Sequence, residues 1–210
     1  MKLLVATRSA GKQREVRRLL ADSGLDLVFP EDINLFEDPA EELLENSDSF
    51  RANARAKAEH FAKRSGLPTV ADDSGLEVFY LGGAPGTRSK RWAGATGTAA
   101  DVDAANNAEL QRRLAGAPEA KRAARYRCSL VLVRKVGALP EVFEGECAGR
   151  ILAEPAGTAG FGYDPYFWSA DLGKSFGEAT DAEKDGVSHR GRAFKALRTA
   201  LAATTLPASG

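Results

Sequence analysis

KLLVATRSAGKQREVRRLL, residues 2–20, sets the fold class. Residues 2–6 are a short apolar run, residues 7–11 are small and polar, and Val16, Leu19 and Leu20 then recur at helical spacing. A buried strand passing through a tight loop into an amphipathic helix is the opening unit of an α/β sheet. Beyond it, residues 25–29 predict a second strand and residues 30–42 an acidic loop. Residues 47–64 predict a helix capped by Ser47, with Phe50, Ala54, Ala58 and Phe61 on one face, stopped by Gly66-Leu67-Pro68. A brief buried strand at 69–71 runs into Asp72-Asp73-Ser74-Gly75, and residues 82–97 are too rich in Gly and Pro for regular structure. Helix returns over 99–114. Residues 123–136 alternate as a long strand with Tyr126, Cys128, Leu130 and Leu132 on one face, and 141–151 pair back after a turn at Gly137-Ala138. A glycine-rich loop over 155–165 and a last helix over 188–203 complete an α/β chain with a mixed sheet, and no repeat or linker divides residues 1–210.

Length and composition bound what such a chain does. With 210 residues, 43% hydrophobic and 28% charged, it is long enough to bury a substantial core and carries no disordered tract. Its 29 basic and 29 acidic residues cancel, so no global field holds DNA or RNA, whereas a small anion needs only a local cluster. The first apolar run is far too short for a signal segment or a membrane span, which predicts a cytoplasmic protein. Cys128 and Cys147 lack CxxC spacing and a nearby His, and read as packed, reduced thiols.

Five segments carry polar groups in patterns that chemistry uses. Thr7-Arg8-Ser9-Ala10-Gly11-Lys12 lies between strand and helix, where free amides, the helix dipole and a lysine suit a phosphate, although GxxxxGK[ST] is absent. An ordinary βα turn with a solvated lysine gives the same pattern. Ser49, Asn53 and Lys57 recur every four residues on an alanine-rich helix, either as a solvated face or as a stripe that reaches a ligand. Asp72 and Asp73 end an apolar run. One of them is enough to cap a turn, and the second leaves a carboxylate for a cation. Mg²⁺ takes only one or two protein carboxylates, so Glu45 with Asp73 suffices. Gly160-Phe161-Gly162-Tyr163-Asp164-Pro165 frames aromatics with glycines, as a tight turn or as a face on which a purine stacks. Lys184 and Ser188-His189-Arg190-Gly191 offer a forked guanidinium and a histidine that is more often structural.

Together the stretches ATRSAGKQREV, ENSDSFRANARAKA, ADDSGLEV with GGAPGTRSKRWAG, GFGYDPYF and EKDGVSHRGRA, in this order, resemble the inosine triphosphate pyrophosphatase, or Ham1-like, family. The resemblance spans nearly the whole chain. It implies a long central mixed sheet flanked by helices, two lobes with the active-site cleft between them, and a homodimer. It implies hydrolysis of deaminated purine triphosphates (ITP, dITP, XTP) to monophosphate and pyrophosphate, with Mg²⁺ as cofactor. Carried over residue by residue, Thr7, Arg8, Ser9, Ala10, Gly11 and Lys12 resemble the triphosphate loop, and Lys57 a further phosphate contact beside Asn53. Glu45 and Asp73 resemble metal ligands, Asp73 also the proton acceptor, and Ser74 a substrate contact. Phe161, Gly162, Tyr163, Asp164, Lys184, His189 and Arg190 resemble the base-binding set, with Arg190 expected to donate to the purine 6-keto oxygen.

Two departures stand out: the family often carries an acid two residues before the helix Asn, where this chain has Arg51, and its usual Ala-Glu-Leu appears as Gly177-Glu178-Ala179. A related Maf-like pyrimidine pyrophosphatase would share the phosphate chemistry without GFGYDP and SHR. A nucleotide- or RNA-binding module without catalysis would need the aromatics and not the acids.

Overall fold

The computed structural model describes residues 1–205. Among them, strands β1 (Lys2–Val5), β2 (Asp26–Val28), β3 (Thr69–Val78), β4 (Ala123–Val133), β5 (Glu141–Ile151), β6 (Phe167–Ser169) and β7 (Lys174–Ser175) form one sheet in the order β2-β1-β3-β4-β5-β6-β7. The sheet is mixed: β1 runs parallel to β2 and β3, whereas β6 runs antiparallel to β5 and β7. The helices are α1 (Ala10–Leu19), α2 (Phe50–Ser65), α3 (Ala99–Arg113), α4 (Asp181–Val187) and α5 (His189–Thr205). The chain falls into two compact units. One contains Met1–Asp73, Cys128–Gly145 and the residues from Arg190 onward, and the other contains Ser74–Arg127 and Glu146–His189.

In the first unit the two-residue alternation of β1 sorts the core. Leu3 and Val5 pack with Val70 against Val16 of α1, Leu20 just past its end, and Ala193, Phe194 and Leu197 of α5. Leu4 and Ala6 face the other way, with Ala71, onto Ala54, Ala58 and Phe61 of α2. The α2 face is therefore the one its spacing predicts. Its cap is Ser49 rather than Ser47: the Ser49 side chain accepts from the Ala52 amide, and Gly66 closes the other end in the left-handed conformation. Ser47 instead accepts from the Ser49 amide, two residues on. Ser49→Ala is expected to cost about 1 kcal/mol, read from urea unfolding midpoints. The acidic loop contains two 3₁₀ turns, Pro30–Ile33 and Pro39–Leu43, each with Pro at its start.

The second unit gathers Leu76 and Val78 of β3, Leu110 of α3, Leu114 just past its end, Tyr126, Cys147, Ile151, Phe167 and Phe176 into its own core. Helix α4, which the hydrophobic pattern does not predict, starts at a capping box in which Thr180 and Glu183 satisfy one another's amides. Both cysteines are buried free thiols, and burial pushes the Cys128 thiol up.

The departures in sequence fit this frame. Arg51 is exposed and pairs with Glu144 at 3.0 Å. A Cβ at Gly177 would lie 2.4 Å from the Ala156 carbonyl oxygen, so this chain has no room for the family's alanine there.

Candidate active site

The acids expected at the end of a short strand lie inside a long one. β3 continues through Asp72 and Asp73 to Val78, and both acids are buried. Such a strand tolerates two charged groups only if each finds a partner, and alternation sends them to opposite faces. Asp72 follows Val70 toward α1 and α5, where Oδ2 lies 3.0 Å from Lys12 Nζ and accepts from Arg190 Nε and Nη2 at 3.3 and 3.2 Å. Arg190 Nη1 in turn donates to Glu15, itself buried on α1. Burial raises the Asp72 carboxyl, but Lys12, Arg190 and Lys57 outweigh it and hold the group well below the usual carboxylate range. Asp72 is thus locked as a carboxylate in an ion network.

Asp73 follows Ala71 toward α2 and meets a neutral partner. Asn53 Nδ2 donates to Asp73 Oδ2 at 2.9 Å. The rest of the Asn53 amide is occupied by the backbone of Ser47, accepting from its N–H and donating to its carbonyl, both at 3.0 Å. Through these bonds Asn53 braces Asp73. Burial raises the Asp73 carboxyl, Lys57 and Lys12 lower it, Glu45 raises it again by like charge, and the net direction is up. Lys57, one turn beyond Asn53, donates to Glu45. Burial lowers its ammonium, yet Glu45, Asp72 and Asp73 outweigh that and keep it charged.

The loop before α1 supplies anion-binding groups. Ser9 is the N-cap without a side-chain cap bond, so the first-turn amides of Ala10, Gly11 and Lys12 have no intrahelical acceptor and no cap over them. Thr7 is buried, its hydroxyl accepting from the Ser9 amide at 3.3 Å. Arg8 turns aside: Nε and Nη2 both donate to Glu41 at 3.0 Å and Nη2 also to the Leu35 carbonyl. Its side chain fixes the acidic segment, leaving the backbone of the loop for a ligand.

The second unit holds the aromatic set. Asp164 is buried and its Oδ2 accepts from the Phe161 amide at 2.9 Å and from Lys184 Nζ at 2.6 Å. Lys184 Nζ also lies 4.9 Å from the centre of the Phe161 ring. Tyr163 is buried and donates to the Ser89 carbonyl at 2.9 Å, so it ties the loop to the 86–91 turn. Phe161, Gly162 and Ser74 keep partial exposure. His189 is buried with its ring stacked on Tyr126 at 4.6 Å and 9°. Gly160 sits at φ +78° and a Cβ there would lie 2.0 Å from Asp164 Oδ2. Gly160→Ala should cost about 2–3 kcal/mol through left-handed strain plus displacement of the Asp164–Lys184 pair, seen as a lower urea midpoint.

The matches to known proteins decide what these constellations belong to. Residues 3–200 match the profile of the Ham1 family. This chain belongs to the Ham1 family. The dITP/XTP pyrophosphatase of Yersinia pseudotuberculosis is 45% identical over 204 residues, covering 95% of this chain and 98% of its own. That of Escherichia coli strain K12 is 44% identical over 201 residues, with 95% and 98% covered. Among solved structures, a HAM1 protein from Coxiella burnetii superposes with a TM-score of 0.83 at 32% identity, over 97% of this chain and 99% of that one. The nucleoside-triphosphatase, dITP/XTP pyrophosphatase, of Mycobacterium abscessus gives 0.72 at 42% identity over 94% and 98%.

Within this Ham1-family chain Arg190, expected as a donor to the purine, has its fork engaged by Asp72 and Glu15 in the first unit. Glu15 was not singled out from sequence. The signal was an acid three residues after Lys12 on the same helix face as Val16 and Leu19, where burial demands a cation.

Proposed function

We propose that this protein hydrolyses non-canonical purine nucleoside triphosphates, ITP, dITP and XTP, to the monophosphate and pyrophosphate. The observation that carries the reading is the split of two adjacent strand carboxylates. Asp72 is fixed between cations, whereas Asp73 faces a neutral amide and is left with the basicity that proton abstraction needs. The choice of substrate rests on the full-length relatives named dITP/XTP pyrophosphatase. In this reading the amides of residues 10–12, Lys12 and Lys57 take the triphosphate, and the Phe161 loop takes the base. Ser74, between the two sets in sequence, is a further substrate contact.

Mg²⁺ fits the residues present. Glu45 and Asp73 are close enough that one charge disfavours the other, a repulsion a cation between them relieves. Among the described residues no group of three or more His, Cys, Asp or Glu is arranged around an ion. A pair of carboxylates is what Mg²⁺ takes when water and phosphate oxygens complete its shell. When bound, Mg²⁺ supplies charge neutralisation and Lewis-acid polarisation of the triphosphate. The chain's own groups do the rest. Asp73, held by Asn53, accepts a proton from the water that attacks the α-phosphorus. Lys12 and Lys57 exchange their carboxylate partners for the departing pyrophosphate and offset its charge.

The 6-keto oxygen of hypoxanthine or xanthine accepts a hydrogen bond where a 6-amino group offers only donors, and the family resemblance assigns that contact to Arg190. Guanine has the same keto oxygen, so this contact separates adenine and leaves guanine to another feature. Pyrophosphate release from ITP, XTP, GTP and ATP, with Mg²⁺ and with excess EDTA, tests the reading. ITP and XTP should exceed ATP by about 10–100-fold, the effect of 1–3 kcal/mol from an unpaired donor, and EDTA should abolish turnover. Equal rates would remove the specificity; nucleotide binding without pyrophosphate release would make the protein a binding module.

The family resemblance further supports a cytoplasmic homodimer. Among the described residues no helix is long and apolar enough to cross a membrane.

A further inference from the structure

The Gly162 peptide is held on both sides by one face of α3. Its N–H donates to Asp103 Oδ2 at 2.8 Å, and its carbonyl accepts from Asn107 Nδ2 at 2.9 Å. Asp103 and Asn107 are one helical turn apart, so a single rigid element grips the two polar groups flanking Gly162. Asn107 Nδ2 also donates to the Asp103 carbonyl at 2.9 Å, which fixes the amide on its own helix. The neighbouring Asn106 fastens a second loop, accepting from the Ala93 amide at 2.9 Å and donating to the Lys90 carbonyl at 3.0 Å. Lys90 closes the circuit on Asp103 Oδ1 at 3.5 Å.

Gly162 has φ +65° and no side chain, so nothing of its own resists rotation of its flanking peptides. Such a rotation would swing Phe161 on one side, while Tyr163 on the other is already anchored to Ser89. We infer that Asp103 and Asn107 are positioning residues that set the angle of the Phe161 ring and thereby the affinity for the purine base. The inference rests on the assignment of Phe161 to the base. Neither residue touches the triphosphate groups, so their loss should weaken base binding and leave phosphate binding and chemistry alone.

The test compares Asp103→Ala, Asp103→Asn, Asn107→Asp, Phe161→Ala and Gln111→Ala in the full chain. Gln111 lies one turn further along α3 and donates to the Leu152 carbonyl at 2.9 Å, a bond of the same kind to a different segment. The readouts are KM and kcat for ITP with Mg²⁺, and inhibition by inorganic tripolyphosphate, which has no base. Asp103→Ala and Asn107→Asp should raise KM about tenfold, the effect of one lost well-placed hydrogen bond, with kcat and tripolyphosphate inhibition little changed. Asp103→Asn, which keeps an acceptor, should recover most of the loss, and Gln111→Ala should leave KM as it was. If Asn107→Asp does not fold, Asp103→Ala, at a partly exposed position, carries the same comparison. A KM rise equal in Gln111→Ala, or a parallel loss of tripolyphosphate inhibition, would show a general effect of the helix and overturn the inference. Phe161→Ala raising KM while both clamp variants do not would overturn the clamp and keep the base assignment. An unchanged KM in Phe161→Ala would overturn the base assignment itself.

Discussion

Asp73→Asn should hydrolyse ITP about 10³–10⁴-fold more slowly than the parent protein, the upper range for loss of a general base, because a carboxylate for the cation goes with it. The fold should survive. An asparagine keeps an oxygen that accepts from Asn53 Nδ2, so the 2.9 Å bond has a successor. Burial has already pushed the Asp73 carboxyl up, which means that the folded state disfavours its charge. A raised carboxyl contributes stability below its unfolded value, near 4 for an aspartate, and loses it as pH rises through the folded value. At pH 7 the neutral variant should therefore melt no lower than the parent. Steady-state pyrophosphate release and thermal melts at pH 7 read both effects. Near-parental turnover would remove Asp73 from the chemistry, and a large drop in melting temperature would make its role structural.

Asp72→Asn, one residue away, should behave in the opposite way. It takes the carboxylate from a buried network and leaves Lys12 and Arg190 facing a neutral group, and breaking a buried pair on one side costs about 3–5 kcal/mol. The sign of its pH dependence follows from a carboxyl held below its ordinary value. Its contribution is fully present above the unfolded pKa of about 4 and fades as pH falls below that. Urea midpoints of parent and variant should differ by a constant amount from pH 5 to 8 and converge below pH 4. A variant as stable as the parent at neutral pH would show that the network contributes nothing.

The contrast between these neighbours also shows how far the sequence could be read. The opening strand, loop and helix were legible because apolar periodicity and a polar loop are local properties. So was the helix face of Phe50, Ala54, Ala58 and Phe61: all four are buried, the last three in one core cluster. The course of β3 was not. Two consecutive aspartates ordinarily end a buried strand, and here they do not because Lys12 and Arg190, 60 and 118 positions away in the chain, compensate one of them, and Asn53 the other. Local reading has no access to such partners.

The aromatic loop repeats the lesson. GFGYDP was recognisable as a turn that shows an aromatic face, but the division of labour within it depends on contacts that sequence does not display. Asp164 and Tyr163 turned out to be internal supports, Phe161 the partly exposed ring, and the grip on Gly162 comes from a helix more than fifty residues earlier. Arg190 is another case: its forked donor was legible, but the two buried carboxylates that engage it, Asp72 and Glu15, were not. Helix α4 was missed for a different reason: its Thr180 and Glu183 capping box was present in the sequence, but seven residues are too few for a periodic signal to build.

In the proposed reaction water, activated at Asp73, attacks the α-phosphorus of a purine triphosphate and expels pyrophosphate. Hydrolysis of ITP with Mg²⁺ in ¹⁸O-labelled water, followed by mass spectrometry of both products, identifies the phosphorus attacked. One labelled oxygen is expected in inosine monophosphate and none in the pyrophosphate released. Label in the pyrophosphate, or release of orthophosphate with inosine diphosphate, would contradict it.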